Sequence, residues 1–191
     1  MSLAFKEWHA IVGALVAGRQ SIILRKGGIA EGRGGFKIPT EKFWLLPTRF
    51  HAQAEKLKPA ATPFLPRPDE PEQLTAYAEL IRHRFVEDWN TVTALDHTHL
   101  WTQTTLRARF DWSQPPGLHL LELRVFRLLV PIDLALTPDQ AGCKSWVDLP
   151  HDITQAVATQ VDAGPKAQPH TNSQNHLHLS KRNQGKDEMH K

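Results

Sequence analysis

The sequence predicts a single α+β domain: a small, mostly antiparallel, partly closed sheet or barrel with three to four peripheral helices. Three observations carry this. Short strand-forming runs at 21–25, 43–46 and 118–130 are bounded by glycine or proline. Segments 3–17 and 70–85 place apolar residues at helical spacing. The 191 residues, 40% apolar and 23% charged, suffice for one core without metal or disulfide staples.

In chain order, Ser2 is the expected N-cap of a helix over 3–17, with Phe5, Trp8, Val12 and Leu15 on one face and Gly18 closing it. SIILR (21–25) and FWLL (43–46) read as two strands, paired antiparallel across KGGIAEGRGG, which holds five glycines in ten residues. Pro47 stops the second strand. Thr48 caps a short helix over 49–58. Five prolines between Pro59 and Pro71 predict an extended connector, anchored by Phe64 and Leu65. Asp69 and Glu72 resemble a capping box for a helix over 70–85, with Leu74, Tyr77, Ala78 and Ile81 buried.

TVTAL (91–95) reads as a strand and 102–110 as a short helix. LHLLELRVFRLLV (118–130) is apolar on both faces, as a central strand is, and Pro131 ends it. CKSWVDL (143–149) adds a last strand. From about Ala156 the pattern dissolves, so residues 1–150 are expected to form the globular domain and 151–191 a flexible, polar, His-rich tail.

Cys143 is the only cysteine, which excludes an internal disulfide and fits a reducing compartment. Lys6, Glu7 and His9 interrupt the first apolar run, unlike a signal peptide, and no stretch has the length of a membrane span. A soluble cytoplasmic protein is expected. A net charge of +3 permits nucleic-acid binding without requiring it.

Five groups of residues are candidates for chemistry. Arg25, Lys26 and Arg33 flank Gly27 and Gly28 in a basic glycine-rich loop, where backbone N–H groups and cations suit a phosphate backbone. The plain alternative is a solvated hairpin loop. Asp111 and Glu122-Leu123-Arg124 mimic a restriction-type nuclease centre, in which carboxylates hold Mg²⁺; Arg in place of the usual Lys is a poor proton carrier, and a Glu122–Arg124 salt bridge along the strand is the plainer reading. His83, His97, His99, His176 and His178 lack zinc-finger spacing, and His51 precedes Glu55 by one helical turn. Cys143 beside Lys144 is a nucleophile candidate, with a small buried hydrophobe the plainer reading. Six tryptophans are mostly core, with Trp101 and Trp112 the candidates for stacking a base.

Four islands point to a family. FKEW (5–8), ILRKGGIAEG (23–32), FWLLPTRFHAQ (43–53), and LLELRVFRL with GCKSWVDL (120–128, 142–149) together resemble the prokaryotic domain of unknown function 1802. The family pattern places Gln directly after the histidine of the third island; here Ala52 intervenes before Gln53. AGRQSIILR also resembles the G-x-K-x-x-x-x-R pattern of ASCH and PUA-like RNA-binding barrels, with Gln20 at the Lys position. The first resemblance implies no activity, but family members stand beside restriction-endonuclease-type domains, which implies a link to restriction or defence.

Three functions follow as expectations. The leading one is a non-catalytic module contacting DNA or RNA through Arg25, Lys26, Gly27, Gly28, Arg33, Arg49 and His51, with Trp101 stacking, beside a restriction-endonuclease-type partner. The second is a Mg²⁺-dependent nuclease using Asp111, Glu122 and Arg124. The third is a protein-interaction subunit. No cofactor or metal is expected outside the nuclease reading.

Overall fold

The computed structural model describes residues 1–26, 36–49, 53–112, 114–141 and 144–162. Expectations that rest on 27–35, on 50–52, on Cys143 and on the tail from 163 lie outside these residues. Seven strands form one mixed sheet: β1 (Ser2–Trp8), β2 (Ile22–Arg25), β3 (Lys42–Thr48), β4 (Gln73–Val86), β5 (Leu118–Asp133), β6 (Trp146–Leu149) and β7 (Ala158–Gln160). Their order is β2-β5-β4-β3-β1-β6, with β7 also on β5. The β1–β3 pair is parallel and every other pair antiparallel. Around the sheet lie α1 (His9–Val16), α2 (Gln53–Lys56), α3 (Trp89–Ala94), α4 (Gln103–Trp112) and α5 (Pro138–Ala141). The α+β class and the mostly antiparallel sheet are as expected. No helix among the described residues is long and apolar enough to cross a membrane.

Several elements differ from expectation, each for a physical reason. Residues 2–8 are strand, not helix. Paired with β3 on one side and β6 on the other, β1 buries Ala4, Phe5, Lys6 and Glu7, and that tertiary pairing overrides a helical spacing which holds only from His9. The helix expected over 70–85 is strand β4. Its ladder with β5 shifts register between Leu74 and Ala76 and again between Leu80 and Arg82. Such irregularities break the period of two, so the apolar positions 74, 77, 78 and 81 imitate a helical stripe.

Residues 91–95 are helical, within and just after α3. Asp88 caps that helix, accepting from Asn90 N–H at 3.1 Å and Thr91 N–H at 3.0 Å, and the cap outweighs the β-branched run. Strands β2 and β3 do not pair with each other. β2 lies on β5, and β3 lies between β4 and β1. Pro131 does not end β5, because it falls where the ladder is already irregular and no donor is required of it. The connector holds a 3₁₀ turn at Pro59–Phe64, and Phe64 and Leu65 do anchor it to the core.

Alternation along the strands builds two apolar clusters, one on each face. Phe43 and Leu45 join Phe5, Ile11, Leu15, Ile23, Trp101 and Leu121 on one face. Trp44 and Leu46 join Ala4, Leu74, Tyr77 and Leu128 on the other. Ile153 and its flanks cover this second cluster, and β7 pairs with Phe126–Leu128 of β5. Residues 153–161 thus bring apolar groups and backbone donors to the sheet.

The strand path does not close on itself, but a side chain joins its two edges. Arg25, at the end of edge strand β2, donates from Nη1 to the Lys6 carbonyl at 3.0 Å and from Nη2 to Ser145 Oγ at 2.7 Å. Ser145 immediately precedes the opposite edge strand β6, and its carbonyl accepts from Lys6 N–H at 2.8 Å. The sheet is thus curled and side-chain-bridged, not a hydrogen-bonded barrel.

Gly18 ends α1 at φ 66°, as its place in the sequence implies, and a Cβ there would stand 2.8 Å from the Asp162 carbonyl oxygen. Gly18→Ala is expected to cost about 1–3 kcal/mol, read as a lower urea midpoint at unchanged m-value. A shift below about 0.5 kcal/mol would mean that the segment after β7 does not pack at that position.

Candidate nucleic-acid interface

The ends of β1 and β2 meet α2 and α4 at one site. β1 delivers Glu7 and Trp8, the chain leaving β2 delivers Lys26, α2 delivers Lys56, and α4 delivers Arg109 and Trp112. On α4 the buried pair Leu106 and Phe110 faces the core; Arg109, three residues after Leu106, flanks that stripe and is carried inward with it.

Arg109 lies flat on aromatic surface. Its guanidinium carbon is 3.7 Å from the Trp101 ring centroid and 5.0 Å from that of Trp8. Burial lowers its pKa to about 10; Glu7 opposes the shift and Arg25 adds to it. Among the described residues no carbonyl or carboxylate accepts a hydrogen bond from it. Lys26 Nζ stands 3.8 Å over the Trp112 ring. Burial lowers its pKa, and the charges of Arg109 and Lys56 push it the same way. Lys26, Lys56 and Arg109 therefore form a cluster of like charges, with Lys26 over Trp112, which is 53% exposed.

The residues expected to bind nucleic acid separate in the folded chain. Lys26 belongs to the cluster. Arg25 borders it, but its guanidinium is engaged by Lys6, Ser145 and, at 3.8 Å, the buried Glu7 carboxylate, and it packs 4.8 Å from the Phe5 ring centroid. These contacts tie the end of β2 to β1 and to the residue before β6. Arg49 is elsewhere: it donates to the carbonyls of Arg67, Pro68 and Glu70 and lies 3.8 Å from Glu72. Trp101 is fully buried, with one face under Arg109 and its edge against Trp8, so it has no face to offer a base. Gly27, Gly28, Arg33 and His51 lie outside the described residues. Gln53 is buried and structural; it donates to the Thr48 carbonyl at 2.9 Å and accepts from Ala10 N–H at 3.2 Å.

The nuclease constellation does not assemble. Asp111 pairs with Arg107 along α4 at 2.7 Å. Glu122 pairs with Arg82 at 3.8 Å and Arg124 with Glu79 at 3.3 Å, both across the β4–β5 ladder and not with each other. Among the described residues no group of three His, Cys, Asp or Glu stands close enough to hold a metal ion. His83 Nε2 meets His119 Nδ1 at 2.9 Å, His97 is exposed and His99 is buried.

Sequence reasoning missed Lys56, Arg109 and the core role of Trp101. A signal for Arg109 existed: it is a cation bordering the apolar stripe of an expected helix.

Two measurements test this placement. Trp101→Ala is expected to destabilise the fold by about 3–5 kcal/mol in chemical denaturation, whereas Trp112→Ala stays within about 0.5 kcal/mol. Equal costs would contradict the burial difference. The second concerns pH. Burial, aided by Lys58, lowers the His99 pKa from 6.5 to about 4, with Asp96 opposing. The unfolded chain then binds a proton the folded chain refuses, so stability is complete above pH 6.5 and falls as pH drops toward 4, by on the order of 3 kcal/mol. His99→Gln is expected to flatten that part of the profile; an unchanged slope would assign it to other groups.

The chain was compared with known proteins. No curated protein matches it. Among solved structures, the crystal structure of ASCH from Zymomonas mobilis is similar at 17% identity with a TM-score of 0.47, covering 77% of this chain and 86% of that one. A serine-to-alanine mutant of the same Zymomonas mobilis protein is similar at 17% identity with a TM-score of 0.48, covering 77% and 87%. A family model described as domain of unknown function (DUF1802) matches residues 4–163, and the chain belongs to that family.

Proposed function

We propose that the chain is a nucleic-acid-binding module that takes a single strand across Lys26, Lys56 and Arg109, with a base stacked beside Trp112. The observation that carries this is the gathering of three cations, in which the charges of Arg109 and Lys56 add to burial in lowering the basicity of Lys26. Like charges held together cost stability in the free protein, and a phosphate backbone relieves that cost. Trp112 adds an exposed ring of the kind that stacks bases irrespective of sequence. Gly27 and Gly28 follow Lys26 directly in the chain and extend the proposal along the sequence to Arg33. The module is non-catalytic in this reading, and a restriction-endonuclease-type protein is its partner by family resemblance alone.

The test is fluorescence anisotropy with labelled single-stranded RNA and DNA between about 50 and 200 mM salt. Affinity is expected to fall with salt at a log–log slope of about −2, as two to three phosphate contacts give on a single strand. Lys26→Ala is expected to reduce that slope by about 0.7, and Trp112→Ala to weaken binding about tenfold with the slope unchanged. Absence of binding to either strand at the lowest salt overturns the proposal.

A further inference from the structure

A second site lies away from the cationic cluster, between α1 and the far end of the β4–β5 ribbon. It is a cavity of about 290 Å³. Val12 and Val16 from α1, Pro47 from β3, and Leu128 and Pro131 from β5 give it apolar walls. That combination of apolar walls and a few placed polar groups is typical of small-molecule sites.

Most of the charge on its lining is already matched. Glu70 accepts from the Arg67 N–H at 3.2 Å and stands 3.3 Å from His9 Nε2. Burial lowers the His9 pKa, with Glu70 opposing and Arg49 adding. Arg49 is held by three carbonyls and by Glu72. Arg127 differs. It lines the same cavity from β5, opposite Ala76 on one side and Thr159 on the other. Among the described residues neither neighbour on the ladder offers it a carboxylate, and it makes no ion pair.

We propose that this cavity binds a small organic monoanion, a carboxylate carried on a single ring or a short aliphatic chain, with the apolar part between α1 and β5 and the carboxylate on Arg127. The cavity has room for a small organic molecule such as a single ring with a short chain, and the apolar walls require a body that gains by leaving water. A guanidinium takes a carboxylate through two parallel hydrogen bonds, which supplies both orientation and selection by charge. Glu70 and Glu72 border the site and repel a second negative charge, which favours a monoanion over a dianion.

The experiment is isothermal titration of the full chain with 3-phenylpropionate, its neutral amide and 3-phenylpropylamine. The acid is expected to bind, the amide about tenfold more weakly, and the amine not at all. Arg127→Ala, at an exposed position on β5, is expected to weaken the acid about tenfold and leave the amide unchanged. Lys26→Ala is expected to leave acid binding as it was, so failure here and failure of the nucleic-acid proposal are separable. Equal affinity for acid and amide, indifference to Arg127→Ala, or no binding of the acid at millimolar concentration overturns the inference.

Discussion

One arginine holds the curled sheet to its shape. Among the described residues the main hydrogen-bonded path ends in β2 on one side and β6 on the other, and curling brings the end of one toward the start of the other. Backbone ladders do not bridge that gap. Arg25 does, through the Lys6 carbonyl and Ser145 Oγ, with its aliphatic and guanidinium surface against Phe5 and Phe36. Glu7 supplies the charge that makes a partly buried guanidinium tolerable there. The same contact fixes the direction in which the chain leaves β2, and so places Lys26 over Trp112. Fold closure and the candidate interface therefore share one side chain.

Much of the fold was legible and the failures have a common cause. Strands β2, β3, β5 and β6 and helix α4 stood out because their local pattern and their tertiary role agree. β1 and β4 did not, because partners distant in sequence decide them. Nothing within residues 2–8 announces β3 and β6 as neighbours, and the apolar spacing there continues smoothly into a genuine helix at His9. In β4 the register shifts disguise a strand as a helix. α3 is a different failure: a β-branched run reads as strand, and the Asp88 cap that holds it helical was not considered.

The site was legible only in part. Charge type and sequence position single out Arg25, Lys26 and Arg49 alike, yet packing sends one to a structural bridge, one to the cluster and one to the carbonyls of 67–70. Which cations converge depends on how α2 and α4 dock, and that is a property of the assembled core. The tryptophans make the same point. Trp101 and Trp112 both flank turns in the sequence, and the fold buries the first and exposes the second.

The outer edge of β5 has a consequence for the order of assembly. Two segments share it: β2 covers His119–Glu122, and β7 covers Phe126–Leu128. They come from opposite ends of the described chain, and the N-terminal strand itself waits for β6, with Ser2 facing Leu149. On the ribosome, the longest strand keeps half of one flank bare until residue 160 has emerged. An unpaired flank of that kind invites a second nascent chain, so this topology ties successful maturation to a segment synthesised well after the strand it covers and makes slow, late annealing its point of greatest exposure to misassembly.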